Sequence, residues 1–129
     1  APFSWETTEY SMAMEMMNPD GAKKEDLRGK VMVSKDLVSY QDGAVVSRTL
    51  VDRKTGTVTL FAFAQGQGLS EHTAPFDALI QVLDGEAEVR IAGVPYRLRS
   101  GEMIVMPANE PHALKGVQRF KMMLTMIRS

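Results

Sequence analysis

Gly66-Gln-Gly-Leu-Ser-Glu-His72-Thr-Ala-Pro-Phe-Asp-Ala-Leu-Ile-Gln-Val-Leu-Asp-Gly85 is the stretch that decides how this chain reads. Glycines open and close it, Pro75 sets a corner, and Phe76 to Leu83 is mostly apolar. A short apolar run between glycine and proline breakers is a strand signal. His72 heads this run and is one of only two histidines in 129 residues. The other closes Gly101-Glu-Met-Ile-Val-Met-Pro107-Ala-Asn-Glu-Pro-His112. That segment repeats the plan: a glycine turn, a short apolar strand, then proline.

Outward from these two segments the strand signal continues. Val31 to Val33 and Asp36 to Tyr40 read as short strands, and Gln41-Asp-Gly43 as a turn. Ala44 to Leu50 alternates, with Val46, Arg48 and Leu50 on one face and Val45, Ser47 and Thr49 on the other. Thr57 to Ala64 follows a polar connection. After it come Leu69 to Thr73, Phe76 to Leu83, a hairpin signal at Asp84-Gly85, and the alternating strand Glu86 to Ile91. Val94 to Leu98, Met103 to Met106, Ala113 to Leu114 and Phe120 to Ile127 complete the set. Short strands at intervals of roughly ten residues predict an all-β barrel or sandwich. The cysteine pair around a tryptophan that marks immunoglobulin domains is absent.

The length predicts one domain able to bury roughly two-thirds of its unfolded surface. Residues 1–30 lack a clean period and are expected to form an arm on the β domain of residues 31–129, or on a partner subunit. Within the arm, Met12 to Met17 reads as a short helix or strand, Asn18 to Gly21 as a turn, and Lys23 to Leu27 as one helical turn. Fifteen basic and 16 acidic residues give a net charge of -1, and no long basic block occurs, which argues against a nucleic-acid partner. No apolar run is long enough to span a membrane, and no leader-like start is seen. Zero cysteines remove thiolate and disulfide chemistry and fit a cytoplasmic setting. Ten methionines suit flexible core filling or a soft apolar pocket.

The two histidine segments resemble the cupin superfamily, in its small single-domain form. Its first motif, G-x5-H-x-H-x3/4-E-x6-G, is met by Gly66, His72 and Gly85. Ala74 stands at the second histidine and Ala78 at the glutamate. The second motif, G-x5-P-x-G-x2-H-x3-N, is met by Gly101, Pro107 and His112, with Asn109 at the middle glycine and Gly116 at the final asparagine. Fifteen residues lie between Gly85 and Gly101, the spacing of compact members.

The resemblance implies a jelly-roll β-barrel of the RmlC-like kind holding both imidazoles inside. It also implies one divalent transition metal (zinc, iron, nickel, manganese or copper) on His72 and His112, the two family ligands that remain. Asp77, one residue from the glutamate position, is the first candidate to add to them. A metal there would make the chain an isomerase, lyase, decarboxylase or dioxygenase acting on a small organic acid or sugar derivative. Arg48, if it faces inward, would clamp a substrate carboxylate. The alternative is a metal-free binding or sensor module, its pocket enlarged at Ala74 and Ala78 and lined partly by methionines such as Met106. The apolar carboxy-terminal strand adds the expectation of a homodimer.

Overall fold

The computed structural model describes residues 26–128. The expectations for Met12 to Met17 and for the turn at Asn18 lie outside the described residues. A 3-10 helix, Ser34–Leu37, precedes seven strands: β1 (Val45–Arg53), β2 (Gly56–Phe63), β3 (Gly68–His72), β4 (Ala78–Ile91), β5 (Val94–Arg99), β6 (Met103–Met106) and β7 (His112–Ile127). All pairings are antiparallel. The sheet order is β1-β2-β7-β4-β5, with β3 beside β7 and β6 beside β4. This is the predominantly β fold the spacing predicts. The strand order ends at β1 on one side and β5 on the other.

The two longest strands organise the rest. β4 pairs with β7 from Ala78↔Met126 to Ile91↔His112. On its other side β4 carries β6 and then β5, while β7 carries β2 and then β3. Each long strand therefore serves two groups of short partners. The expected hairpin at Asp84-Gly85 is instead a bulge inside β4. Gly85 has φ 77, and the ladder to β7 shifts register on both sides of it. A side chain at this position would strike the Arg119 carbonyl. The "Asp-Gly" signal marks a left-handed backbone position in either case, and the partner strand decides between turn and bulge.

The amino-terminal strands are also corrected. Val31 to Val33 forms no strand and stands exposed, and Ser34–Leu37 is a helical turn. This segment caps the outer face of the sheet rather than extending it. Tyr40 Oη donates to Asp84 Oδ2 at 2.6 Å, Lys121 Nζ donates to the Lys35 carbonyl at 2.7 Å, and Arg119 lies over the Tyr40 ring at 4.5 Å. Burial and the Asp84 carboxylate both hold the Tyr40 hydroxyl in its protonated form, well above its ordinary pKa.

Alternation in β1, β2 and β7 separates two apolar clusters. The inner one holds Phe61, Phe63, Phe120, Ile80, Leu124 and the methionines Met106, Met122 and Met126. Phe63 and Phe120 stack with centroids 4.4 Å apart. The outer one holds Val38, Val46, Leu60 and Ala62, with Met123 packed against it. The two-faced apolarity of residues 120–126 thus reflects a core on one side and the residue 37–40 segment on the other.

Candidate functional site

His72 ends β3 and His112 begins β7, and the ladder places them as direct partners. Their rings lie 4.5 Å apart at 73°, edge to face. Both side chains are buried, His112 almost completely. His112 alternates with Leu114 and Phe120, so the pair points to the inner core face. Residues 40 apart in sequence converge because β3 and β7 meet where both leave their loops.

The loops before and after the histidines are tied together. Asn109 N donates to the Ala74 carbonyl at 2.7 Å, and Ala108 N donates to Asp77 Oδ1 at 2.8 Å. Asn109 adopts φ 67. Asparagine tolerates this left-handed conformation better than most residues, which explains how it replaces a motif glycine. Gly116, in place of the motif asparagine, bonds backbone to backbone with Gly66 and Gln67.

The hydrogen bonds orient each imidazole. His72 Nδ1 lies 2.6 Å from the Ser70 carbonyl and His112 Nδ1 lies 3.0 Å from the Glu110 carbonyl. A carbonyl only accepts, so each Nδ1 carries the proton and each Nε2 keeps its lone pair. Burial pushes the His72 pKa down to about 4, with the nearby His112 adding to the effect. Burial lowers that of His112 as well. Both rings are therefore neutral acceptors at neutral pH.

Around the pair the surroundings are apolar. The row of partners through the histidines runs Val94, Ile91, His112, His72 across β5, β4, β7 and β3. It passes from buried His72 to Val94, which is 49% exposed. Ala74 and Ala78, at the positions of the two absent motif ligands, are buried. Ala78 is flanked across strands by Met106 on β6 and Met126 on β7, both at 0% exposure. Met106 therefore sits beside the vacated glutamate position, as core rather than as an open surface. Thr57 continues this row on β2, its hydroxyl buried and without a hydrogen-bond partner among the described residues. Sequence reading passed over it, although its alternation with Thr59 and Phe61 placed it inside.

Two expected site residues lie elsewhere. Asp77 is exposed, and its carboxylate is engaged by the Ala108 amide. The one-residue offset from Ala78 turns it to the opposite side. Arg48 pairs with Leu60 on the outer face and donates to the Leu37 carbonyl at 3.2 Å. It supports the residue 37–40 segment, and the inward clamp on a substrate carboxylate is not formed.

These positions decide the fit of a metal. Among the described residues no group of three His, Cys, Asp or Glu side chains could hold one. A stable first-row site uses about three protein ligands. Two imidazoles, two alanines and flanking thioethers do not supply that set, so the described residues do not fit the family's metal.

The chain matches the cupin domain model over residues 59–127. It belongs to the cupin superfamily. A conserved protein of unknown function from Streptococcus pyogenes is 37% identical, with TM-score 0.74, over 79% of this chain and 90% of that one. A cupin 2 conserved barrel domain protein from Leptotrichia buccalis is 40% identical, with TM-score 0.70, over 72% of this chain and 45% of that one. A cupin superfamily protein from Desulfitobacterium hafniense is 27% identical, with TM-score 0.76, over 84% of this chain and all of that one. No curated protein matches. The cupin strand topology explains why His72 and His112, each in its own motif, meet on one ladder.

Proposed function

We infer that this cupin binds a small organic molecule at the His72–His112 pair without a resident metal. The observation that carries this reading is the pair itself: two neutral, buried imidazoles, each with Nδ1 turned to a backbone carbonyl, and only apolar groups at the other motif positions. Two acceptors side by side favour a ligand that donates, such as a hydroxyl or an amine. Alanine and methionine neighbours favour an apolar or aromatic body on that ligand. The row toward Val94 offers an apolar approach to the pair.

Such a module acts as a carrier or sensor. The metal-dependent enzyme of the same family is the weaker reading, because it needs donors that Ala74 and Ala78 do not provide. The test is a titration with phenol, followed through the imidazole nitrogen resonances. Saturable shifts at both Nε2 atoms that vanish in the His72→Ala/His112→Ala variant support the reading. Equal shifts in that variant refute it.

A second copy is proposed to cover the outer face. Val51, Val58, Thr125, Leu79 and Val105 form one row across five strands, with Met103 in the neighbouring row. Val51, Met103 and Val105 are 45%, 56% and 50% exposed. An apolar row this wide on one face suits burial between two subunits. The arm of residues 1–30 is proposed to pack on this domain or its partner. The absence of cysteine supports a cytoplasmic setting.

A further inference from the structure

The face of the sheet turned away from the histidines carries a different chemistry. On β5, β4, β7 and β3 the ladder sets Arg97, Glu88, Lys115 and Gly68 in one row. Arg90 and Ala113 form the next row. These residues alternate with buried Val89, Leu98, His112 and Leu114, so they share the outer face. Two adjoining grooves of about 520 and 460 Å³ lie over them and share Gly66, Glu88, Arg90 and Lys115. Together they make one trough.

The floor of the trough is backbone. A side chain at Gly68 would strike the Leu114 carbonyl, and one at Gly116 would come within 2.7 Å of the Gln118 carbonyl. Glycine at position 68 lets β3 lie this close to β7, and the result is a shallow bed with long cations along its sides. Arg90 Nε holds Glu88 Oε2 at 3.0 Å, and Arg97 reaches Glu86 at 3.4 Å. Lys115 forms no ion pair among the described residues. Arg90 and Arg97 each have a carboxylate partner, Glu88 and Glu86, so Lys115 supplies the positive surplus of the trough, on a chain whose overall charge is -1. Concentrating cations in a concave bed raises the local concentration of anions. Guanidinium groups pair well with planar or tetrahedral oxyanions.

We propose that this trough is a second binding site, for a small molecule carrying two oxyanion groups, one between Arg90 and Lys115 and the other between Lys115 and Arg97. It stands independently of the imidazole pair, from which the sheet separates it. Glu88 lies between the two positions as an internal competitor that releases Arg90 when the ligand arrives.

The probe is inorganic pyrophosphate, titrated into the full chain at low salt and followed by amide resonances. Inorganic phosphate is the single-group control. The expected result is saturable shifts at Gly68, Glu88 and Lys115, with phosphate weaker by about tenfold or more. Arg97→Ser/Lys115→Ser, at two exposed positions, is expected to weaken pyrophosphate by about tenfold or more, while Glu88→Gln tightens it several-fold. His72→Ala/His112→Ala leaves the affinity unchanged. Non-saturating shifts, a double serine variant that binds like the parent, or a Glu88→Gln variant that binds more weakly each overturn the site. Equal affinity for phosphate and pyrophosphate overturns the two-group ligand.

Discussion

His72 and His112 face each other across one rung of the β3–β7 ladder, with ring centroids 4.5 Å apart. That contact constrains both charge and ligand. Two protonated rings at this separation would repel, and each is already disfavoured from charging by burial.

The first consequence is acid sensitivity. His72 titrates near its ordinary 6.5 when unfolded and at about 4 when folded. Between those values the unfolded chain binds more protons, so stability falls as pH falls through this window. The effect is on the order of 3 kcal/mol for His72 alone once pH reaches the folded value. His112 acts in the same direction. Urea unfolding at pH 7, 6 and 5 is expected to show declining stability, with a shallower decline in His72→Gln. A pH-independent midpoint contradicts this.

The missing metal ligands can be put back. Ala74 lies in the loop tied to Asn109, two residues beyond His72. Ala74→His supplies a third imidazole to the pair. Zinc is expected to bind this variant far more tightly than the parent, approaching about one equivalent. Competition with a chromophoric chelator measures the difference. Equal zinc affinity in the two proteins means that the scaffold, rather than the donor count, is what fails.

Gly85 tests the bulge in β4. Its φ of 77 and its approach to the Arg119 carbonyl leave no room for a side chain. Gly85→Ala is expected to cost about 1–3 kcal/mol in thermal or urea unfolding. An unchanged midpoint refutes the strain argument.

Tyr40 tests the segment that caps the outer face. Tyr40→Phe keeps the ring against Arg119 but removes the bond to Asp84. A loss of about 1.5–3 kcal/mol is expected, since the acceptor is charged. Asp84→Asn in the same background should recover part of it by removing the uncompensated carboxylate.

The outer face bears on assembly. Light scattering coupled to size exclusion at micromolar concentration is expected to give twice the 14.3 kDa chain mass. A Val105→Glu variant is expected to shift it to the single-chain value. A parent protein that runs at 14.3 kDa contradicts the proposed second copy.

Much of this was legible because the punctuation is local. Gly66, Gly101 and Pro107 bracket strands whose existence and face alternation follow from nearest neighbours. The convergence of His72 and His112 came from family spacing, since no periodicity relates residues on different strands. Where sequence reading failed, partners decide the outcome. Asp84-Gly85 reads the same for a turn and a bulge, and only the β7 ladder separates them. Arg48 and Val46 share a face in either case, but a strand pattern does not say which face is inner when both are apolar. Asp77 illustrates a loop effect: its single-residue offset from Ala78 was visible, while its bond to Ala108 needed the β6–β7 loop in place.

The account turns on what the two imidazoles hold. An anomalous-scattering map of crystals grown from protein purified without a metal-chelating column, measured above the zinc, copper, nickel, iron and manganese edges, tests it most directly. The prediction is no anomalous peak at the pair, with both Nε2 atoms within hydrogen-bond distance of water or an organic molecule. An anomalous peak about 2.1 Å from both Nε2 atoms would contradict it.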